Sequence, residues 1–300
     1  MRVLALFGPT AVGKTAVAVA VAKQLRQRGE DPVAVSCDSI QVYQSLAILS
    51  GAAGPGERVQ LEHRLLGIVP AADEFSAGQY ARLAHREIDG LLAEGRRPIL
   101  VGGTGLYLRA ALSDLELRPA VPDAIRRQVE DEMASKGPEA MHGELAPEVS
   151  ASVHPNDRKR ITRALELQRA GLEPPLPHSE GGRLWTAGLR HPTLLVGLTI
   201  DPELLDRRID SRVDSMIEAG AVEEVAEVER RGVSRTARAA IGFEELLSGD
   251  VAATKAAQRR FARRQLTWMR RMEEVQMLDC SELSDEQAAG RVLELLGEDR

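Results

Sequence analysis

Three short stretches of this sequence combine residue types that can do chemistry. The first is Gly8-Pro9-Thr10-Ala11-Val12-Gly13-Lys14-Thr15, which fits the phosphate-binding pattern G-x-x-x-x-G-K-[ST] at every fixed position. Its glycines let successive backbone N–H groups turn toward one anion. A helix beginning near Lys14 would add the positive end of its dipole. The Lys14 ammonium reaches an outer phosphate, and the Thr15 hydroxyl can ligate Mg²⁺. Such a loop suits the triphosphate of ATP and equally the diphosphate of another donor. The second stretch is Asp38-Ser39-Ile40-Gln41-Val42-Tyr43, whose Asp38 is either a general base or a turn and helix cap. The third is Gly102-Gly103-Thr104-Gly105. A phosphate-loop ATPase commonly closes the strand here with an Asp that holds metal and water. Here the glycines permit close backbone approach and Thr104 offers a hydroxyl, either for a ligand or simply as a turn.

These stretches need a frame. Arg2 to Phe7 is a short apolar run that reads as a buried strand, and Ala16 to Arg26 reads as a helix. Pro32 to Cys37 reads as a second strand, expected beside the first, with Asp38 just past its carboxyl end, where open α/β sheets bind ligands. Leu46 to Gln60 is Gly- and Ala-rich and reads as a loop, and Phe75 to Glu94 as a helix. Pro98 to Val101 and Thr193 to Ile200 are further strands. Asp201-Pro202 caps a helix over Glu203 to Glu218, followed by helices over Val222 to Arg231 and Val251 to Val275. Between the strands lies a proline-punctuated helical stretch whose clearest helix is Asp157 to Arg169, with Asn156 as its expected cap, followed by a Pro- and Gly-rich linker from Gly171 to Pro192. The expected architecture is an α/β fold, a phosphate-loop NTPase-like parallel sheet flanked by helices. Residues 1–112 and 183–300 would form that core, and 113–182 a helical insertion domain.

Composition sets outer bounds. The chain of 300 residues is 43% hydrophobic and 28% charged, the balance of a globular protein. No stretch reads as a membrane span or a leader. The two cysteines and six histidines form no metal-ligand spacing. A cytoplasmic protein is expected, with no membrane and no protein partner implied. The formal net charge of −6 argues mildly against a nucleic-acid partner. Its distribution argues the other way. Arg158, Lys159, Arg160 and Arg163 form one basic cluster, and Lys255, Arg259, Arg260, Arg263, Arg264, Arg270 and Arg271 form another. A basic face on an acidic protein can still bind a polyanion.

Together these segments resemble the tRNA dimethylallyltransferases (tRNA isopentenyltransferases). The resemblance rests on Gly8 to Thr15, Asp38 to Tyr43, Pro98 to Tyr107, His154 to Ile161, Arg212 to Met216, Ala240 to Phe243 and Arg263 to Trp268, in that order along nearly the whole chain. It implies transfer of a dimethylallyl group from dimethylallyl diphosphate to N6 of the adenosine just 3′ of the tRNA anticodon, with Mg²⁺ as cofactor. It also implies a helical insertion that grips the anticodon stem-loop. Ile48-Leu49-Ser50-Gly51-Ala52-Ala53 departs from the family's Ile-Gly-Thr-Ala-Lys-Pro, and so do His63-Arg64 and Gly242-Phe243-Glu244-Glu245 from their counterparts. No paired-Cys, paired-His finger follows, so the chain resembles the shorter bacterial enzymes.

The resemblance assigns roles. Gly8 to Thr15 (Gly8, Pro9, Thr10, Ala11, Val12, Gly13, Lys14, Thr15) would hold the donor diphosphate, with Thr15 on the metal. Lys14, Thr104 and Arg212 would stabilise the leaving charge, and Asp38 would take the proton from the adenine amine. Asp38, Ser39, Ile40, Gln41 and Thr104 would meet the tRNA, as would Lys159, Arg160, Ile161, Thr162 and Arg163 on the insertion. Tyr43, Tyr107 and Phe243 would either pack against the adenine or lie in the core. A phosphate-loop kinase of a small metabolite or nucleotide is the alternative. It explains the loop and Asp38 but not two basic clusters.

Overall fold

The computed structural model describes residues 1–115, 121–173 and 188–298. It divides into two compact units, Met1–Asp114 with Leu189–Arg300, and Leu115–Gly188.

The first unit is built on a six-stranded sheet in the order β3-β2-β4-β1-β5-β6. Its strands are β1 (Val3–Phe7), β2 (Pro32–Ser36), β3 (His63–Arg64), β4 (Arg97–Gly102), β5 (Thr193–Thr199) and β6 (Val275–Asp279), and every pairing is parallel. All five residues of β1 are buried. Helices covering both faces of a parallel sheet explain why its strands are continuous apolar runs rather than alternating ones. Helix α1 (Lys14–Gln27) buries Val17, Val21 and Leu25 against Leu4, Leu6, Ile99 and Val196, and Ala289, Val292 and Leu293 of the last helix (Asp285–Glu298) join the same core. The helix Ala77–Ala93 (α4) buries Tyr80, Ala84, Ile88 and Leu91 and starts from a Ser76–Gln79 capping box.

The strand order corrects one expectation. β2 does not lie beside β1, because β4 pairs with both and separates them. The loops after β1 and β2 therefore face each other across the carboxyl end of β4. Other boundaries also moved. The region from Leu46 to Gln60 is not a loop but holds two short helices, α2 (Ala47–Ser50) and α3 (Pro55–Gln60). The long C-terminal helix stops at Met269, and Val275 begins edge strand β6. Its residues pair with Leu195 to Thr199 of β5, a partnership across some eighty positions that no local pattern announces.

In the second unit α6 (Asp123–His142) is broken at Gly137, where φ is 79°, and Pro138 opens its second half. With α7 (Pro147–Ser150) and α8 (Arg158–Arg169) it encloses Val129, Met133, Met141, Val149, Ile161 and Leu165. Asp157, not Asn156, caps α8: its side chain accepts from the Arg160 N–H at 3.1 Å. Asp157→Ala is expected to destabilise this unit by about 1 kcal/mol, read by thermal unfolding, while Asn156→Ala should cost far less. Most of the Pro- and Gly-rich stretch read as a linker lies outside the described residues.

Candidate active site

The carboxyl end of the sheet opens into a cavity of about 310 Å³, lined by Thr10, Ala11, Gly13, Lys14, Thr15, Asp38, Ser39, Gln41 and Arg212 among others. Its floor is the loop between β1 and α1. Gly8 must be Gly, because a Cβ there would stand 2.8 Å from the Leu198 carbonyl oxygen. Gly13 caps α1 at a φ of 105° and brings no side chain to the helix start. The first amides of α1 have no intrahelical partner, so they remain to meet an anion.

Lys14 is partly exposed as a residue, yet its ammonium turns inward. Nζ donates to the carbonyls of Gly8 at 3.0 Å and Pro9 at 2.8 Å. Burial pushes its pKa down to about 7, Arg212 nearby adds to that shift, and the Asp38 carboxylate opposes it. Burial likewise lowers Arg212, again against the pull of Asp38. The Asp38 carboxylate thus shares the cavity with two crowded cations and acts on both.

Asp38 follows β2 and also shapes its own loop. Its Oδ1 accepts from the Ile40 N–H at 2.9 Å and the Gln41 N–H at 3.4 Å. The turn role and the cavity role are therefore both present, since a carboxylate that holds its loop with one oxygen keeps lone pairs on the other. Thr104 stands one step behind the lining: its Oγ1 accepts from the Ser39 N–H at 3.2 Å.

Arg212 comes from the helix α9 (Pro202–Glu218) and donates to the Ser50 carbonyl at 3.1 Å. It lies so close to Gly51 that a Cβ there would meet Nη2 at 2.2 Å. Gln41 Nε2 donates to the Gly51 carbonyl at 3.3 Å. At the other end of α2 the Glu224 carboxylate accepts from the Ile48 and Leu49 N–H groups at 2.9 and 2.8 Å. The segment with the departing residues is therefore a short helix pinned at both ends, and its Leu49 and Ala53 form an apolar wall of the cavity with Ile241 and Phe261.

Two readings that the sequence left open are decided here. The glycines of Gly102-Gly103-Thr104-Gly105 serve packing. Added Cβ atoms would stand 2.2 Å from the Cys37 carbonyl oxygen at Gly102, 2.1 Å from Gln265 Nε2 at Gly103 and 2.1 Å from the Trp268 ring at Gly105. The aromatic residues Tyr43, Tyr107 and Phe243 are core: all three are buried, Tyr107 stacks on Tyr80 with centroids 4.2 Å apart, and the Tyr43 hydroxyl bonds Thr236. None is free to sandwich an adenine.

The second basic cluster is also partly reassigned. On the helix α13 (Val251–Met269), Lys255, Arg259 and Arg263 pair with Asp214, Asp210 and Asp206 of α9. Both sets repeat every four residues, so one face of each helix meets the other in an antiparallel ladder. The ladder fixes the helix that carries Arg212. In the second unit Arg158, Lys159 and Arg160 are exposed on α8, Thr162 is half-buried, and Arg163 pairs with Glu166 at 3.0 Å. Ile161, also expected to meet the tRNA, is fully buried in that unit's core, which leaves its side chain no such contact.

Glu57, Gln258, Phe261 and Gln265 line the cavity without having been singled out by the sequence, and so does His63, which the sequence marked only as part of a departure from the family. Gln265 lay inside a quoted segment, but nothing local distinguished its side chain. His63 Nδ1 lies 2.6 Å from the Leu61 carbonyl, and burial lowers the ring's pKa. Among the described residues, no three His, Cys, Asp or Glu side chains gather to hold a metal, and no helix is long and apolar enough to cross a membrane.

The IPP transferase family profile matches residues 41–272. A tRNA dimethylallyltransferase of Geobacillus thermodenitrificans is 38% identical over 296 residues, covering 94% of this chain and 91% of the relative. One from Streptomyces avermitilis is 39% identical, covering 92% and 90%. Among solved structures, the full-length tRNA isopentenylpyrophosphate transferase of Bacillus halodurans superposes with a TM-score of 0.69 at 30% identity, covering 99% of both chains. A eukaryotic dimethylallyltransferase, solved acting on tRNA, gives a TM-score of 0.75 at 25% identity, covering 97% of this chain and 77% of that one.

Proposed function

This chain belongs to the IPP transferase family, and from that premise we infer that it is a tRNA dimethylallyltransferase whose donor is dimethylallyl diphosphate. The acceptor is N6 of the adenosine 3′ of the anticodon. The observation that carries the reading is one cavity lined by Lys14, Arg212 and Asp38, with the Asp38 carboxylate close enough to act on both cations.

The chemistry follows from that polarity. The diphosphate sits on the first amides of α1, with Lys14 and Arg212 against its oxygens. Lys14 leaves the Gly8 and Pro9 carbonyls to reach it. The allylic C–O bond breaks and its electron pair stays on the diphosphate, where preorganised donors stabilise the growing charge. The tail rests on the wall of Leu49, Ala53, Ile241 and Phe261. Adenine N6 forms the new C–N bond to the allylic carbon. Asp38 takes the proton that N6 gives up, and Ser39, backed by Thr104, and Gln41 hold the base edge. Thr15 supplies one hydroxyl at the start of α1. A magnesium ion keeps several waters and leans on substrate phosphates, and the hydroxyl that follows the Lys of such a loop is an ordinary ligand for it, so this donor fits. Thr15 would hold such an ion, which when bound would neutralise charge on the leaving diphosphate. The second unit is inferred to grip the anticodon stem-loop through Lys159, Arg160 and Arg163, and as the work of a bacterial-type tRNA-modifying enzyme the reaction is inferred to run in the cytoplasm.

Incubation of the purified protein with unmodified tRNA and radiolabelled dimethylallyl diphosphate tests the reading. Label should appear at the adenosine 3′ of the anticodon. No label in tRNA, or label in AMP or ATP offered instead, refutes it. Arg160→Ala should weaken tRNA binding and flatten its dependence on log[salt] by about one unit if the contact is to a phosphate. An unchanged slope, measured by filter binding across a salt series, would leave Arg160 as a solvated side chain.

A further inference from the structure

We propose that Gln265 is a positioning residue that locks the phosphate loop to the loop after β4, so that leaving group and acceptor are held at one fixed separation. The proposal rests on the transferase reading above. Gln265 is buried on α13, yet its amide reaches the cavity wall. Its Oε1 accepts from the Thr10 N–H at 2.8 Å, and its Nε2 donates to the Gly103 carbonyl at 2.8 Å. A single amide thus bridges the turn after β1 and the turn after β4. The second turn continues into Thr104, which accepts from Ser39 beside Asp38. Diphosphate loop and proton acceptor are linked through three successive hydrogen-bonded groups.

The bridge has a further consequence for the loop. The Thr10 N–H already has a partner, so the anion must be met by amides farther along, at the start of α1. Gln265 thereby sets where in the loop the diphosphate lies. The arrangement also demands Gly103, since a Cβ there would stand 2.1 Å from Nε2. Seven residues earlier on the same helix face, Gln258 is also buried and donates to the Ile241 carbonyl at 3.1 Å, which fixes the apolar wall. Gln265 touches neither reacting atom. Its action is through the two loops, and misplacement of reacting groups by about 1 Å can cost on the order of 10²-fold in rate.

Two variants test this. Gln265→Met keeps length and apolar volume and loses both bonds. Gln265→Glu keeps the acceptor for Thr10 and, once ionised, cannot donate to Gly103, so its rate is followed from about pH 7 to 9 to separate the carboxylate from a protonated acid, whose O–H could still donate. In both, the single-turnover rate constant at saturating tRNA and donor should fall by about 10-fold or more, with tRNA affinity within twofold of wild type. A purely structural role would lower the active fraction, read as burst amplitude, and leave the rate constant intact, and that outcome overturns the proposal. A wild-type rate constant in Gln265→Glu alone overturns it too, because the link to Gly103 would then not matter. If Gln265→Met does not fold, Gln265→Glu decides. Binding of inorganic diphosphate in the absence of tRNA, read by calorimetry, should weaken several-fold in Gln265→Met. That arm needs no transfer: a wild type that labels no tRNA refutes the transferase reading, while unchanged diphosphate binding refutes the lock.

Discussion

Asp38→Asn is expected to cut the single-turnover rate by about 10²–10⁴-fold, the usual cost of losing a general base. Asn keeps the size of the side chain and one acceptor oxygen. It can still take the Ile40 and Gln41 N–H groups that Oδ1 now holds, so the loop should survive. What it cannot do is accept the proton from N6. The defect should therefore appear in the chemical step, with donor and tRNA affinities and melting temperature close to wild type. A metal role predicts weaker diphosphate binding, and a purely capping role predicts a lowered melting temperature with normal rate. Asn also removes the carboxylate that raises the Lys14 pKa, so that pKa should fall further in this variant. A near-normal single-turnover rate would remove Asp38 from proton transfer.

Lys14→Ala is expected to act on both binding and rate. Donor affinity should drop by about 1.5–3 kcal/mol, the worth of a hydrogen bond to a charged group. The transfer step should slow by about 10²–10³-fold, as when one preorganised donor is removed from developing charge. The pH dependence gives a second signature. In the free protein the Lys14 pKa is pushed down to about 7 by burial and Arg212. A bound diphosphate favours the charged ammonium and raises that pKa. Binding at neutral pH and above should therefore take up a proton, and donor affinity should fall as pH rises above about 7. The stability sign is related. The unfolded Lys14 holds its proton up to its ordinary value of 10.5, while the folded one loses it near 7. Between these values the unfolded state binds more protons, so this residue's contribution makes the apoprotein more stable as pH rises through that window. Calorimetry in two buffers of different ionisation enthalpy checks the uptake, and Lys14→Ala should abolish it.

The sequence by itself determined the parts of the site that are made by neighbours in the chain. Gly8 to Thr15 is one turn between a strand and a helix, so its backbone geometry, with amides free at the helix start, follows from the types and spacing of eight consecutive residues. Asp38 was legible for the same reason, as the residue just past a buried strand, and Asp201-Pro202 as a helix start, where the Asp201 side chain accepts from the Glu203 and Leu204 N–H groups. Tertiary structure decided everything that depends on which distant segments meet. It inserted β4 between β1 and β2, because strand order is set by how crossovers bury both sheet faces and not by order in the chain. It turned three of the seven basic residues of an apparent polyanion face into a helix ladder, since only packing tells whether an Arg meets water or an Asp. It buried Tyr43, Tyr107 and Phe243, which composition allowed at the site or in the core. The reason for Gly102, Gly103 and Gly105 lay in side chains and backbone far along the chain. Gln265 is the extreme case: its two partners lie 255 and 162 positions away, and a glutamine on a helix is indistinguishable from a solvent-facing one until the fold brings those backbones to it.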